Sequence, residues 1–125
     1  MIRGIGVDTV SIARIEAVWQ RGGERFLQRL FTPAEIAYCT ALARPAPSLA
    51  ARFCAKEAVM KCLRSGWTGG VTFASIEVVR EPGGAVDLQL HGVAAARARD
   101  LGITRWHVSL THTDTEATAF VLGEA

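Results

Sequence analysis

Apolar residues recur along this chain with two periods, one typical of strands and one typical of helices. Residues 2–8 form a short apolar run around a central glycine, which predicts a first strand that ends at Asp8. The sequence Glu-Pro-Gly-Gly at 81–84 is typical of a turn, so the segments on either side are expected to pair as a hairpin. Alternation of apolar and polar side chains predicts four further strands, at 72–79, 86–90, 106–111 and 117–122.

Helical spacing fills the intervals between these strands. Residues 12–18 begin a helix that is interrupted or ended near Gly22-Gly23, and a helical pattern resumes at 24–30. Mixed strands and helices with hairpin-like pairings predict an α+β fold, with helices packed on a mainly antiparallel sheet in one domain spanning 1–125. The remaining helix signals are a capping box at 32–35, a helix over 49–64 capped by Ser48, and a last helix over 93–101 before Gly102.

Composition narrows the class of protein. Of the 125 residues, 50% are apolar, which indicates a folded domain with a core. No apolar run reaches membrane-spanning length and the first residues lack a signal-peptide pattern, so we expect a cytoplasmic protein that does not enter a membrane. A net charge of +2 is too small to indicate nucleic-acid binding. Cys39, Cys54 and Cys62 lack zinc-type spacing and are expected to be small buried apolar side chains.

The segment 52–61, RFCAKEAVMK, carries the strongest indication of chemistry. Glu57 and Lys61 are four residues apart and share one helix face, with Arg64 one turn further along. A carboxylate beside fixed cations suits a site where the carboxylate binds Mg²⁺ and the cations bind phosphate oxygens. The alternative is an intrahelical Glu–Lys pair worth roughly a few tenths of a kcal/mol.

Asp8 is a second candidate metal ligand. A carboxylate where a strand gives way to a helix is a usual place for a ligand site, and the alternative is that Asp8 caps a helix starting near residues 9–11. Asp8 and Glu57 together suit Mg²⁺ better than Zn²⁺ or Ca²⁺, because magnesium is typically held by one or two carboxylates plus phosphates and waters.

Ser109 and His112 lie in the segment HVSLTHT, whose hydroxyl and imidazole groups are typical of phosphate or sugar sites. A lone histidine at a strand end is more often structural. Because the two residues are three apart, they face opposite ways on a straight strand and meet one ligand only if the chain bends after Leu110.

Arginines spaced seven, four and four residues apart follow the first strand. They line one face if the helix continues through Gly22-Gly23. Such a stripe is most often a solvated helix face, but on a chain with little net charge it also suits an acidic protein partner. The four residues are Arg14, Arg21, Arg25 and Arg29.

Taken together, these segments resemble the holo-acyl-carrier-protein synthase family, the small bacterial type of 4′-phosphopantetheinyl transferase. The resemblance covers nearly the whole chain. Several motifs in the right order and at suitable spacing identify a family far more specifically than one motif alone. The matching motifs are GIGVDTVSIARIE (4–16), FTPAEIAYC (31–39), RFCAKEAVMKCL (52–63), SIEVV (75–79) and HVSLTHT (107–113).

The resemblance implies an enzyme that moves 4′-phosphopantetheine from coenzyme A to a serine of an acyl carrier protein, uses Mg²⁺ and releases adenosine 3′,5′-bisphosphate. It implies that Asp8 and Glu57 bind the metal and act in catalysis with Lys61. Either Glu57 or a metal-bound water would accept the serine proton. The family also implies a homotrimer with the site between adjacent subunits.

The resemblance extends to substrate binding. Lys61 would contact the phosphates of coenzyme A, and Ser65, Gly66, Ser109 and His112 would contribute to its pocket. The acidic carrier protein would dock on the basic helix through Arg14, Arg21, Arg25 and Arg29.

The chain departs from the family pattern at 64–66, where Arg-Ser-Gly stands in place of the usual Gly-Thr-Gly. Arg64 would either add a phosphate contact or crowd the site. Two alternatives to the enzyme are a non-catalytic coenzyme A or carrier-protein binding module of the same fold, and an unrelated small α+β domain. In that unrelated domain Asp8 would be a helix cap and Glu57 part of a surface pair.

Overall fold

Strands lie at both ends of the chain and helices fill much of its first half. The computed structural model describes residues 1–65 and 70–125. Among these residues, no helix is both long and apolar enough to cross a membrane. The elements in chain order are β1 (Ile2–Ser11), α1 (Ile12–Leu30), α2 (Pro33–Thr40), α3 (Ala46–Leu63), a 3₁₀ turn (Phe73–Ser75), β2 (Ile76–Arg80), β3 (Val86–Leu90), α4 (Gly92–Asp100), β4 (Arg105–His112) and β5 (Glu116–Glu124).

The strands form two ladders rather than one sheet. The larger has the order β1-β5-β4, and the smaller pairs β2 with β3. Each strand pair in the described part of the chain is antiparallel, which confirms the predicted α+β class. The hairpin turn at 81–84 and the end of α4 before Gly102 are also as predicted. Gly102 has a φ of 75°, a left-handed conformation that glycine adopts without a steric penalty.

Helix α3 packs along the inner face of the three-stranded sheet. Alternate residues of β5 from 117 to 121 are fully buried against it. Strand β1 comes closer still, because a Cβ atom at Gly6 would lie 2.0 Å from the carbonyl oxygen of Ala58. A Cβ at Gly4 would lie 2.8 Å from the carbonyl oxygen of Cys62. Glycine at these two positions therefore allows the backbones of β1 and α3 to touch.

The opposite face of this sheet exposes large apolar side chains. Ile5 and Val7 of β1 are 60% and 52% exposed, and Phe120 of β5 is 42% exposed. Val7 pairs with Phe120 across the strands, and Ile5 pairs with Leu122. We call these four residues the outer sheet patch. A contiguous exposed apolar surface of this kind usually marks an interface.

Strand β1 is longer than the sequence predicted, and this changes the position of Asp8. The strand stays in register with β5 as far as Ser11, which pairs with Glu116. Ser11 caps α1, because its side chain accepts a hydrogen bond from the backbone N–H of Arg14 at 3.2 Å. Asp8 therefore lies inside the strand, and both its placement at the strand end and its interpretation as a helix cap are wrong.

Two other element boundaries differ from the prediction. Helix α3 begins at Ala46, and Ser48 lies inside it instead of capping it. The first helical turn contains Pro47, and proline is tolerated there. The Ser48 hydroxyl accepts hydrogen bonds from Arg52 and from the thiol of Cys39. The predicted strand at 72–79 begins as a 3₁₀ turn, in which the N–H of Ser75 donates to the carbonyl of Thr72.

A buried ion pair ties α2 to α3 and to the smaller sheet. Thr32 and Glu35 form the predicted capping box, with hydrogen bonds of 2.9 and 3.2 Å. Glu35 is almost fully buried, and its Oε1 lies 2.7 Å from Nζ of Lys56. Lys56 also donates to the carbonyls of Phe73 (3.0 Å) and Ile76. The capping carboxylate is thus also the counter-ion of a fully buried lysine.

Candidate functional site

Strand β1 and helix α3 bring the two predicted metal ligands to one cavity. Asp8 projects from the inner face of β1, because its partner across the sheet, Ala119, is buried against α3. Glu57 lies next to Ala58, the residue on which Gly6 packs. Both carboxylates line a cavity of about 740 Å³, which we call the carboxylate cavity. Asp8 and Glu57 are therefore neither remote from each other nor sealed from solvent.

Lys61 adds a cation to this pair. Its Nζ donates a hydrogen bond to the carbonyl of Val7 at 2.7 Å and lies 3.4 Å from Oδ1 of Asp8. Among the ion pairs of the described residues, Lys61 is paired with Asp8 and not with Glu57. The intrahelical Glu–Lys pair is therefore the wrong alternative. The Lys61 side chain is 54% exposed, so a ligand can reach its ammonium group.

The environment of Glu57 changes its proton affinity. Burial raises the pKa of the Glu57 carboxyl, and the negative charge of Asp8 raises it further, while Lys61 acts in the opposite direction. The influence of Asp8 shows that the two carboxylates interact electrostatically across the two elements. A carboxylate with a raised pKa is also a better proton acceptor near neutral pH.

The donor set around Asp8 and Glu57 fits magnesium. No group of three or more histidine, cysteine, aspartate or glutamate side chains in the described chain could hold a metal ion. Mg²⁺ needs no such cage, because it is commonly held by one or two carboxylates and completes its shell with phosphates and water. Two interacting carboxylates on an open cavity supply that number of ligands, and a bound cation would relieve their mutual repulsion.

Cys54 approaches the same pair from the buried side of α3. Its thiol donates to the carbonyl of Ala117 at 3.3 Å. Burial, followed by the charge of Asp8, raises the pKa of Cys54 to about 12. Cys39 and Cys62 are likewise buried and free, so all three cysteines are buried, as the sequence predicted.

The four predicted arginines of α1 all line the carboxylate cavity. Gly23 has non-helical angles (φ 57°, ψ −141°) and interrupts the helix, as the sequence predicted near Gly22-Gly23. The arginines therefore do not lie along one continuous helix, but they still place positive charge along the same cavity as the two carboxylates. The four residues are Arg14, Arg21, Arg25 and Arg29.

Sequence reasoning did not identify the apolar side of this cavity. Phe53 of α3 and Phe73 of the 3₁₀ turn stack with ring centroids 5.4 Å apart and an interplanar angle of 18°. Both rings line the cavity together with Phe26 of the kinked helix. Aromatic surface next to arginines is typical of protein-binding faces.

Ser109 and His112 lie elsewhere, at a second cavity of about 800 Å³. Strand β4 runs unbroken to His112 in register with β5, so the bend that the sequence required after Leu110 does not occur. Both residues still border one cavity, because β4 is an edge strand of its sheet. Among the described residues, none that lines this cavity also lines the carboxylate cavity.

Three arginines missed by the sequence analysis line the second cavity, which we call the arginine groove: Arg44, Arg52 and Arg80. The ring of Tyr38 contacts two of them, with guanidinium carbons 4.8 Å (Arg52) and 5.0 Å (Arg80) from its centroid. With His112 alongside, the groove is strongly cationic and suits a phosphate group.

Arg52 is the most informative of these arginines because it is only 4% exposed. It donates to the Ser48 hydroxyl at 2.5 Å, but its Nε has no hydrogen-bond partner, and it forms no ion pair within the described chain. A buried cation without a carboxylate is costly unless an anion binds. Its position in the otherwise apolar run 49–55 was the signal available in the sequence.

Ser65 and Gly66, also predicted to contact coenzyme A, follow the end of α3. The backbone N–H of Ser65 donates to the carbonyl of Met60 at 3.3 Å. Gly66 lies outside the described residues. Ser65 is not among the described residues that line either cavity.

The sequence matches one family over almost its whole length. A family model described as "4′-phosphopantetheinyl transferase superfamily" matches residues 4–120. The holo-[acyl-carrier-protein] synthase of Koribacter versatilis is 49% identical over 124 residues, which cover 99% of both chains. That of Nitratidesulfovibrio vulgaris strain Hildenborough is 48% identical over 125 residues, which cover 100% of both chains. These matches confirm the family resemblance carried by the five motifs.

Solved structures agree with the sequence relatives. The holo-[acyl-carrier-protein] synthase of Neisseria meningitidis superimposes with a TM-score of 0.91 at 32% identity, with 100% of both chains covered. The Helicobacter pylori enzyme in complex with coenzyme A gives a TM-score of 0.84 at 32% identity and covers 96% of this chain and 99% of its own. The fold is therefore shared with that of holo-[acyl-carrier-protein] synthases.

Proposed function

The chain belongs to the 4′-phosphopantetheinyl transferase superfamily, and we propose that it transfers 4′-phosphopantetheine from coenzyme A to a serine of an acyl carrier protein with the help of Mg²⁺. The observation that carries the proposal is the convergence of Asp8 and Glu57 on one cavity lined by four arginines. The serine oxygen bonds to the phosphorus that carries pantetheine, the bond to the bridging pyrophosphate oxygen breaks, and adenosine 3′,5′-bisphosphate leaves with the electron pair.

Phosphoryl transfer depends on positioning and charge neutralisation more than on covalent help from the protein. Mg²⁺ held by Asp8 and Glu57 would neutralise charge on the pyrophosphate oxygens. Lys61 carries a fixed positive charge next to Asp8 and offsets the charge that develops on the leaving group. Glu57, whose pKa is raised by burial and by Asp8, is the side chain suited to accept the serine proton.

Coenzyme A carries phosphate at two places, the pyrophosphate and the 3′-phosphate of the ribose. The cluster of Asp8, Glu57 and Lys61 suits the pyrophosphate with its metal. The arginine groove, with the buried Arg52 and with His112, suits the second phosphate. Because the two cavities have no lining residue in common, we assign them to different protomers around one coenzyme A.

The homotrimer implied by the family resemblance is part of the proposal, and this division of the site and the outer sheet patch support an oligomer. The exposed Ile5, Val7 and Phe120 are the apolar surface that neighbouring protomers would cover. A site shared between protomers also explains why Ser109 and His112 lie away from Asp8 in one chain. The cytoplasmic location expected from the sequence stays a prediction.

The arginines along the carboxylate cavity are proposed to receive the carrier protein. An acidic helix lying on α1 would be attracted by Arg14, Arg21 and their two successors, while its apolar residues meet Phe26 and Phe53. The serine would then enter the cavity that holds both carboxylates. The non-catalytic binding module is the second candidate, and it gives no reason for the convergence of Asp8 and Glu57.

The test is the intact mass of an apo acyl carrier protein after incubation with this protein, coenzyme A and Mg²⁺. We expect a gain of one phosphopantetheine that EDTA abolishes and that added Mg²⁺ restores. Coenzyme A binding measured by calorimetry distinguishes the two candidates. Tight binding without transfer to any of several carriers would favour the binding module over the enzyme.

A further inference from the structure

Arg64 is held in a backbone conformation that its side chain disfavours. It ends helix α3 with φ 56° and ψ 30°, and it is the only non-glycine residue with a positive φ in the described part of the chain. Its N–H donates to the carbonyl of Lys61 at 3.2 Å, which completes the last turn of the helix. Glycine is the usual residue at such left-handed helix ends, because a Cβ atom is strained there.

Among the described residues, no side-chain contact of Arg64 compensates for this strain. The Arg64 side chain is exposed and forms neither a hydrogen bond nor an ion pair with another described residue. By contrast, Arg97 on α4 donates to the carbonyl of Leu63 at 3.1 Å, so the end of α3 already has a cation that stabilises it. Strained residues that persist without a local benefit tend to occur at functional sites.

Arg64 directly follows helix α3, which carries Glu57 and Lys61. It comes three residues after Lys61, so both cations lie at the same end of this helix. Lys61 turns toward Val7 and Asp8, whereas the Arg64 guanidinium group has no hydrogen-bond or ion-pair partner in the described ranges 1–65 and 70–125. A guanidinium group binds phosphate oxygens through paired N–H donors.

We propose that Arg64 binds a phosphate oxygen of coenzyme A and thereby adds a substrate contact at the end of α3. This inference rests on the proposed function, because it concerns the affinity of that site for its phosphate-bearing substrate. The left-handed backbone is then the structural cost of a side chain retained for binding. Removal of the side chain should therefore weaken substrate binding and stabilise the protein at the same time.

Three variants separate these effects. Arg64→Gly should raise the KM for coenzyme A by about three- to tenfold and raise Tm by about 2–4 °C. Arg64→Asn, which tolerates the left-handed conformation without a charge, should raise KM as much as glycine does. Arg64→Lys keeps the charge but loses the paired N–H donors, so its KM should lie between the parent value and that of the glycine variant. Arg99→Asn removes an exposed arginine that lines neither cavity and is the matched control for net charge.

The readouts are steady-state transfer kinetics, calorimetry with coenzyme A alone, and thermal unfolding. An unchanged KM for coenzyme A in both the glycine and asparagine variants would overturn the inference. A rise in the KM for the carrier protein alone would assign Arg64 to carrier docking and would also overturn it. Absence of transfer by the parent protein would count against the proposed function, and calorimetry of the same variants would still decide whether Arg64 binds coenzyme A.

Discussion

Nζ of Lys61 lies 3.4 Å from Oδ1 of Asp8, so a lysine of α3 pairs with a carboxylate of β1 instead of pairing with Glu57 one turn away on its own helix. Its hydrogen bond to the carbonyl of Val7 holds it in this position. One cation thus serves two carboxylates, which leaves negative charge in excess at the cluster. That excess is suited to a divalent cation and explains the opposing influences on the pKa of Glu57.

Removal of either carboxylate charge should abolish most of the transfer. We expect Asp8→Asn and Glu57→Gln each to lower kcat by at least about 100-fold, because each loses a ligand that neutralises phosphate charge through the metal. Transfer followed by intact mass of the carrier protein measures the loss. Asp100→Asn, which removes an exposed carboxylate at the end of α4, is the control and should remain active. Full activity in both site variants, with unchanged Tm, would show that the metal ligands are elsewhere.

Reversal of charge on the α1 arginines should affect the carrier protein and spare coenzyme A. Arg14→Glu and Arg21→Glu are expected to raise the KM for the carrier by about tenfold or more, with a weaker dependence on salt, because they remove attraction to an acidic helix. The KM for coenzyme A should stay within about twofold of the parent value. Arg99→Glu on α4 is the matched reversal outside the cavity. Equal increases in the KM for both substrates would contradict the assignment of carrier binding to α1 and coenzyme A binding to α3.

A charge in the outer sheet patch should dissociate the proposed trimer. Phe120→Glu and Val7→Glu place carboxylates on the face that protomers would bury, so light scattering should report monomers that retain their circular dichroism. Val93→Glu introduces the same charge at an exposed valine of α4, outside the patch, and should leave the trimer intact.

The proposal that two protomers share one site can also be tested by mixing two inactive variants. Asp8→Asn has a defective carboxylate cavity, and a variant with Arg44→Ala and His112→Ala has a defective arginine groove. When the two inactive proteins are refolded together, mixed trimers should regain part of the activity, since one protomer supplies each intact cavity. No recovery in trimers shown to be mixed would mean that both cavities act within one chain.

Loss of either partner of the Glu35–Lys56 pair should strongly destabilise the fold. We expect Lys56→Met and Glu35→Gln each to lower the free energy of unfolding by about 3–5 kcal/mol, because each leaves a buried group without its partner. The double variant should lose less than the sum of the two. Urea unfolding measures these values. His91→Ala, which breaks the exposed pair with Glu77, should cost at most about 1 kcal/mol. A single-variant loss as small as that of His91→Ala would show that the buried pair contributes little.

The buried thiols should be inert in the native protein and sensitive to alkaline pH. Burial raises the pKa of Cys54 to about 12 and that of Cys62 to about 11, both from 9.0. Iodoacetamide at pH 8 should therefore add nothing to the folded protein and three groups in urea. Because the folded pKa values exceed the unfolded value, this contribution to stability is complete below pH 9 and is lost as the pH rises toward 11 and 12. Rapid native alkylation at pH 8 would contradict both statements.

Local patterns were sufficient for most of the fold. The capping box at Thr32, the turn at 81–84 and the alternation in β4 and β5 depend on neighbouring residues, and each is present. The strand extension to Ser11 was missed because it results from pairing with β5, more than one hundred residues away. Ser48 was misjudged as a cap because its hydroxyl is used by Arg52 and Cys39, contacts that sequence spacing does not reveal.

The same distinction between local and long-range contacts separates the predicted parts of the candidate site from the missed ones. Helical spacing gave the shared face of Glu57 and Lys61. The arginines of α1 line one cavity although Gly23 interrupts the helix on which their spacing was judged. Arg44 lies between α2 and α3, Arg52 in α3 and Arg80 at the end of β2, and only the folded chain brings them together. The stacking of Phe53 on Phe73 was equally inaccessible, since Phe73 belongs to a turn that the alternation pattern predicted as a strand.

Because Gly6 has no side chain, a substitution at this position can disturb the catalytic site without changing a catalytic residue. Any larger residue there would collide with the carbonyl of Ala58 and force β1 away from α3. Asp8 is carried by that strand and Glu57 by that helix, so the gap between the two carboxylates would widen although neither had been altered. The spacing of the charged groups is therefore set by an absence of atoms, and a single methyl group placed two residues from Asp8 is enough to disturb it.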